Sequence, residues 1–168
     1  MSLLINMLTQ EQMKYFIYWL GFARASITQH INVPGQALVL AGPAGSGKSL
    51  TQDLIITPLL GGRSGNPFPY LSGKTGFNKE LLGYKHLVIA DQTSHTDYRS
   101  RREFGARIKD IVANKYQRCE GKYSTPLGLA PYWRLSISLN SEPENLQILP
   151  PIEESLADKL IIFLTEKV

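Results

Sequence analysis

The eight residues Gly42-Pro43-Ala44-Gly45-Ser46-Gly47-Lys48-Ser49 satisfy the pattern G-x-x-x-x-G-K-[ST] in full. Glycines at this spacing let backbone N–H groups curl around a polyphosphate. A helix starting at the lysine turns the positive end of its dipole on the same charge. Lys48 is then placed for the β- and γ-phosphates, and the Ser49 hydroxyl for a Mg²⁺ ion. The run marks a nucleoside-triphosphate site. Further along, Leu87-Val88-Ile89-Ala90 is apolar and ends in the carboxylate of Asp91, which would hold Mg²⁺ directly or through water. Gln92 follows, where a carboxylate would polarise the attacking water. An amide can orient water but cannot take its proton, which leaves slow hydrolysis, another base such as Glu103, or turnover blocked by an engineered change. Asn140 ends the run Leu135-Ser136-Ile137-Ser138-Leu139. Its amide can bridge the γ-phosphate and the attacking water, or simply form a turn.

These residues need an α/β frame to meet. Residues 36–41 read as a buried strand into the glycine loop, and a helix from Lys48 to about Ile56 follows, ending at Thr57-Pro58. Residues 86–90, 134–139 and 160–164 read as further buried strands, with a helix over 99–113 whose Phe104, Ile108, Ile111 and Val112 face inward. Alternating strands and helices predict a mainly parallel sheet. Residues 60–69 read as loop, 68–71 as a short strand, 78–82 as a small helix and 153–158 as a short helix. Glu120-Gly121 marks a hairpin turn between residues 116 and 127. Before the core, Thr9 and Gln12 form a capping box that opens a helix running to about His30. Met13, Phe16, Ile17 and Leu20 are its inward stripe, and Tyr15, Tyr18, Trp19 and Phe22 a second, aromatic face for the core or for a subunit contact. The expected organisation is an N-terminal helical segment over residues 1–32 and an ATPase core over 33–168, within one domain overall.

Composition agrees with one compact domain: 168 residues, 43% hydrophobic and 19% charged. The lone Cys119 excludes an internal disulfide and a cysteine-based zinc site. With no leader pattern and no apolar run near the roughly 20 residues that cross a bilayer, the expected setting is cytoplasmic, without membrane contact. The net charge of +4 is unevenly spread. Residues 99–122 carry eight Arg or Lys against three acids, whereas 141–168 carry six acids against two lysines. The basic segment is either a solvated helix face or a polyanion contact.

With these residues in view, the chain resembles a superfamily 3 helicase core, a branch of the AAA+ ATPases. It is most similar to the primase–helicase proteins of phages, plasmids and mobile elements. The likeness covers about residues 36–163. It rests on the loop Gly42–Ser49, the strand ending at Asp91, and the block from Ile108-Lys109 to Asn140. Within that block, Arg118-Cys119-Glu120-Gly121-Lys122-Tyr123 and then Trp133 to Asn140 carry most of the signal. The resemblance implies a P-loop NTPase three-layer sandwich of AAA+ type, which binds ATP with Mg²⁺, assembles as a homo-hexamer and moves single-stranded DNA through its pore. It implies a primase domain or protein as a companion. Lys122 stands where the family grips nucleic acid, flanked by Arg118 and Tyr123. Lys159 stands where a neighbouring subunit's arginine finger is expected, with Arg134 and the Arg99–Arg102 cluster as alternatives. Two other readings stay open: an assembly ATPase that binds nucleotide with little hydrolysis, and a small P-loop kinase whose arginine-rich lid is the 99–118 segment.

Overall fold

The computed structural model describes residues 2–90 and 98–167. Asp91 and Gln92 lie outside the described residues. Two helices, α1 (Ser2–Met7) and α2 (Gln10–Thr28), lead into strand β1 (Ala37–Gly42) and helix α3 (Lys48–Thr51). The helix continues through a π turn over Gln52–Ile56 into α4 (Thr57–Leu59). Then come β2 (Ser64–Gly65), α5 (Phe68–Leu71), a 3₁₀ turn (Lys79–Gly83), β3 (His86–Ala90) and α6 (Tyr98–Ala113). The hairpin β4 (Gln117–Cys119) and β5 (Leu127–Leu129) precedes β6 (Arg134–Asn140), α7 (Pro143–Leu146), α8 (Glu154–Ala157) and β7 (Leu160–Leu164).

Five strands form one sheet in the order β2-β3-β6-β1-β7, every pair parallel. Alternation along the strands feeds two cores. Ala37, Val39, Leu87, Ile89, Leu135, Ile137 and Leu139 face one side, with Phe104, Ile108 and Ile111 of α6. Leu38, Leu40 and Phe163 face the other, with Met7, Phe16, Trp19, Ala23, Ile56 and Leu60. The expected α/β sheet, with helices on both faces, is therefore present. The N-terminal helix shares the second core with the sheet.

Residues 2–7 form a helix ahead of the capping box. Three local readings need correction. Phe68–Leu71 is a helix and not a strand. Pro67 and Pro69 remove two ladder donors, and Asn66 Oδ1 accepts from Phe68 N at 2.9 Å, which starts a helical turn instead. The helix after the loop runs through Pro58 to Leu59, because the π turn re-spaces the backbone ladder just where proline lacks its N–H. In α2 the inward residues are Phe16, Trp19, Ala23 and Ser26. Trp19 Nε1 donates to Gln36 O at 2.8 Å, while Ile17 points outward at 58% exposure. The capping box at Thr9 and Gln12 is present as expected.

Candidate functional site

The glycine loop leaves the C-terminal end of β1, between β6 on one side and β7 on the other. Gly45 and Gly47 take φ of +80° and +85°, the left-handed region that a side chain resists. Gly42 is required for another reason. A Cβ there would lie 2.0 Å from Thr165 Oγ1 and 2.5 Å from Thr165 O. Thr165 follows β7 directly, and its N–H donates to Ala41 O at 2.7 Å. Its hydroxyl shares a 2.9 Å hydrogen bond with the fully buried Ser46 Oγ. The end of β7 thus braces the loop from below.

Lys48 is buried and folded back on the loop. Its Nζ donates to Gly42 O at 2.9 Å, Pro43 O at 2.7 Å and Ser46 Oγ at 3.2 Å. These three acceptors hold the ammonium within the arch of the loop. Ser49 is exposed in the first helical turn, whose N–H groups have no carbonyl one turn back. Asn140 ends β6 in register with Gly42, and Ser141 N donates to Gly42 O at 3.1 Å. Loop and strand-end amide are therefore held together by the sheet itself. Ala90, the last described residue of β3, pairs with Ser138 of β6.

Two residues at this end were not evident from sequence. One is Thr165. The other is Glu142, two residues past Asn140, where it caps α7. Asn145 Nδ2 donates to its Oε2 at 3.0 Å. A hydrogen bond from its own backbone, this amide and the positive charge of Lys48 hold its carboxyl below the ordinary range. Close approach of Thr165 can be suspected from Gly42; nothing in the sequence brings Glu142 toward Lys48.

Behind the loop helix lies a buried polar ladder. Thr57 Oγ1 and His86 Nδ1 are 2.7 Å apart, His86 Nε2 and Ser136 Oγ 2.8 Å, and Gln52 Nε2 donates to Ser136 Oγ at 2.8 Å. Burial pushes the His86 imidazole down to about 4, so it is neutral at pH 7. The ladder ties the helix after the loop to β3 and β6.

The remaining predicted residues lie elsewhere. Lys159 precedes β7, and Ala37 N donates to its carbonyl. Five residues of strand, about 17 Å, separate it from the height of Gly42. Lys159 is not brought to the loop of its own chain; its Nζ instead pairs with Asp158 at 2.7 Å. Arg134 is 7% exposed and donates to Val33 O and Trp133 O, so it is an internal brace rather than a free finger. Lys122 and Tyr123 form the exposed tip of the β4–β5 hairpin, with Tyr123 95% exposed at φ +57°. Arg118 is exposed and pairs with Glu120 at 2.7 Å. Asn78, buried and unremarked in the sequence, anchors this hairpin. Its amide donates to Arg118 O at 3.1 Å and accepts from Glu120 N at 2.8 Å. Among the described residues no His, Cys, Asp or Glu cluster could hold a metal, and no helix is long and apolar enough to cross a membrane.

Residues 40–155, which include the loop, β3, the hairpin and β6, match the model of a family of unknown function, DUF5906. The chain belongs to that family. No curated protein matches it. Among solved structures it is similar to the apo C-terminal region of NrS-1, at TM-score 0.73 and 20% identity over 98% of this chain. A second apo form of that region gives 0.71 and 19% over 99%. JCV helicase gives 0.56 and 17% over 94%. The chain spans 37% of the NrS-1 chain and 42% of the JCV helicase chain. At these identities the likeness is one of fold alone.

Proposed function

We propose that this chain is the ATP-driven motor core of a superfamily 3-like DNA helicase, acting in replication of a phage, plasmid or mobile element. The observation that carries the proposal is the loop 42–49, with Lys48 at its centre and Asn140 held in register with Gly42. The helicase-like fold agrees with it.

Gly42–Ser49 would cradle the phosphates, and Lys48 would exchange its three loop acceptors for β- and γ-phosphate oxygens. Ser49, exposed at the first helical turn, would be one donor to Mg²⁺, and Asp91, next in sequence after Ala90, would be the other. When bound, the ion would neutralise charge on the phosphates. Asn140 would orient the attacking water. Lys122, Arg118 and Tyr123 would meet single-stranded DNA, the cations on phosphates and the ring on a base. Lys159, about 17 Å from the height of its own loop, would act on a neighbour's nucleotide in the hexamer of the resemblance. A primase would be the companion activity. Residues 1–32 would serve as an N-terminal appendage of the core at 33–168, in the cytoplasm.

The DNA part is tested by titrating a labelled oligothymidylate. Lys122→Ala should weaken binding several-fold and lower the salt slope by about 0.7, as expected for one lost single-strand phosphate contact. It should leave ATP affinity unchanged. Equal DNA binding by wild type and Lys122→Ala would remove the hairpin from the account. Gln92 favours one second reading, a nucleotide-switched assembly module: tight ATP binding and nucleotide-dependent oligomers without turnover would select it.

A further inference from the structure

Gly47 joins the glycine loop to its helix. It carries a left-handed torsion, φ +85°, and caps α3 without a side-chain hydrogen bond. A glycine left to itself visits both signs of φ, so this torsion must be held by its surroundings. Its carbonyl accepts from Thr51 N at 2.9 Å and from Thr51 Oγ1 at 3.0 Å. Its α-carbon is covered by helix α1. A Cβ built on Gly47 would lie 2.5 Å from Leu3 Cδ1 and 3.4 Å from Leu3 Cγ. Leu3 therefore fills the space that a side chain would take.

The placement of α1 follows from a second contact one turn further on. Met7 is buried, and Thr51 Oγ1 also reaches its Sδ at 3.6 Å. Leu3 and Met7 are four residues apart, as are Gly47 and Thr51, so α1 runs beside the first turn of α3 in the same direction. Its far end is fixed as well, because Met7 O accepts from Glu166 N at 3.3 Å. Glu166 follows Thr165, whose hydroxyl braces Ser46 and whose N–H donates to Ala41 O. The loop is thus gripped from two sides, by α1 at Gly47 and by the end of β7 at Gly42 and Ser46.

Resting on the nucleotide-site reading above, we infer that Leu3 is a positioning residue for phosphate binding, which holds Gly47 in its left-handed torsion. The N–H groups that open α3 take their direction from that torsion. With Leu3 in place, phosphates meet a preformed cradle; without it, binding must first order the glycine. Ile5, on the same helix but 63% exposed, provides the control.

The test is equilibrium binding of a fluorescent ATP analogue and, by competition, of inorganic tripolyphosphate, which has neither base nor sugar. Wild type, Leu3→Ala, Leu3→Met and Ile5→Ala are compared well below their melting temperatures. Leu3→Ala should weaken both ligands by the same factor, roughly fivefold to thirtyfold, which corresponds to fixing one backbone residue on binding. Leu3→Met nearly conserves volume and should bind both within twofold of wild type, as should Ile5→Ala. A merely structural role lowers the Tm of Leu3→Ala and leaves both affinities unchanged. That result overturns the inference while the nucleotide site stands. Weaker ATP binding with unchanged tripolyphosphate binding also overturns it, since Leu3 would then serve the base side and not the loop. So does equal weakening in Leu3→Ala and Ile5→Ala, which marks a general disturbance of α1. If wild type binds neither ligand, the nucleotide-site reading itself fails and takes the inference with it.

Discussion

Lys48 holds its arch closed through two carbonyls and one hydroxyl, and the arch in turn rests on Thr165. The contact at Gly42 is tight enough to decide a stability experiment. Gly42→Ala would drive a methyl into Thr165, whose backbone is part of the clash and cannot swing aside. A loss of about 3 kcal/mol is expected, at the upper end for overpacking. For a domain of this size that is a fall of roughly 10 °C in Tm. A melt within 2 °C of wild type would show that the end of β7 yields easily. His86 provides the pH counterpart. Its folded pKa of about 4 lies below the ordinary 6.5, so between those values the unfolded chain binds the extra proton. Stability is therefore complete above about pH 6.5 and is lost as the pH falls toward 4, by on the order of 3 kcal/mol. Urea midpoints at pH 7 and pH 5 should differ accordingly, and His86→Gln should flatten the difference. Equal midpoints in wild type would mean that the imidazole charges in place. The candidate phosphate loop was legible because its residues form a contiguous pattern. Thr165 and Glu142 were not, because strand register, not spacing, carries them to the loop.

At the scale of elements, helix α2 was legible from its first turn. Thr9 Oγ1 accepts from Gln12 N at 3.2 Å and Gln12 Oε1 accepts from Thr9 N at 3.0 Å, the reciprocal pair the sequence predicts. Gln12 also donates to Leu164 O, tying the cap to the end of β7. Thr9→Ala should cost about 1 kcal/mol, read as a 2–4 °C lower Tm, with no change in nucleotide affinity. An unchanged melt would indicate that packing alone sets the helix start. Elsewhere local pattern was outvoted. Residues 68–71 carry strand-forming aromatics, yet the flanking prolines deny a ladder and the segment curls. The strand 86–90 reads as uniformly buried, but its His86 is buried for a polar purpose. Neither periodicity nor propensity marks the π turn at 52–56, where Gln52 is turned toward Ser136. Such pairings join residues far apart in sequence, which is why a linear reading passes over them.

Across the whole molecule, the two ends of the sheet divide the candidate chemistry. The C-terminal ends of β1 and β6 carry the loop, Asn140 and Glu142. Lys159 lies at the other end, about 17 Å away along the strands. The order of motifs was legible in the sequence, but this separation was not, since it depends on which end of each strand a residue occupies. The proposed trans role of Lys159 therefore requires a subunit boundary. The aromatic face of α2 offers a surface for that boundary. Tyr15, Tyr18 and Phe22 are all more than half exposed. Phe22→Ser should shift sedimentation toward monomer in the presence of ATP, while an unchanged profile would place the boundary elsewhere. The central claim is tested most directly by ATP turnover with and without single-stranded DNA, for wild type, Lys48→Ala and Gln92→Glu. Turnover should be stimulated by DNA, abolished by Lys48→Ala and raised by Gln92→Glu. Turnover indifferent to DNA, or equal in Lys48→Ala, would contradict it.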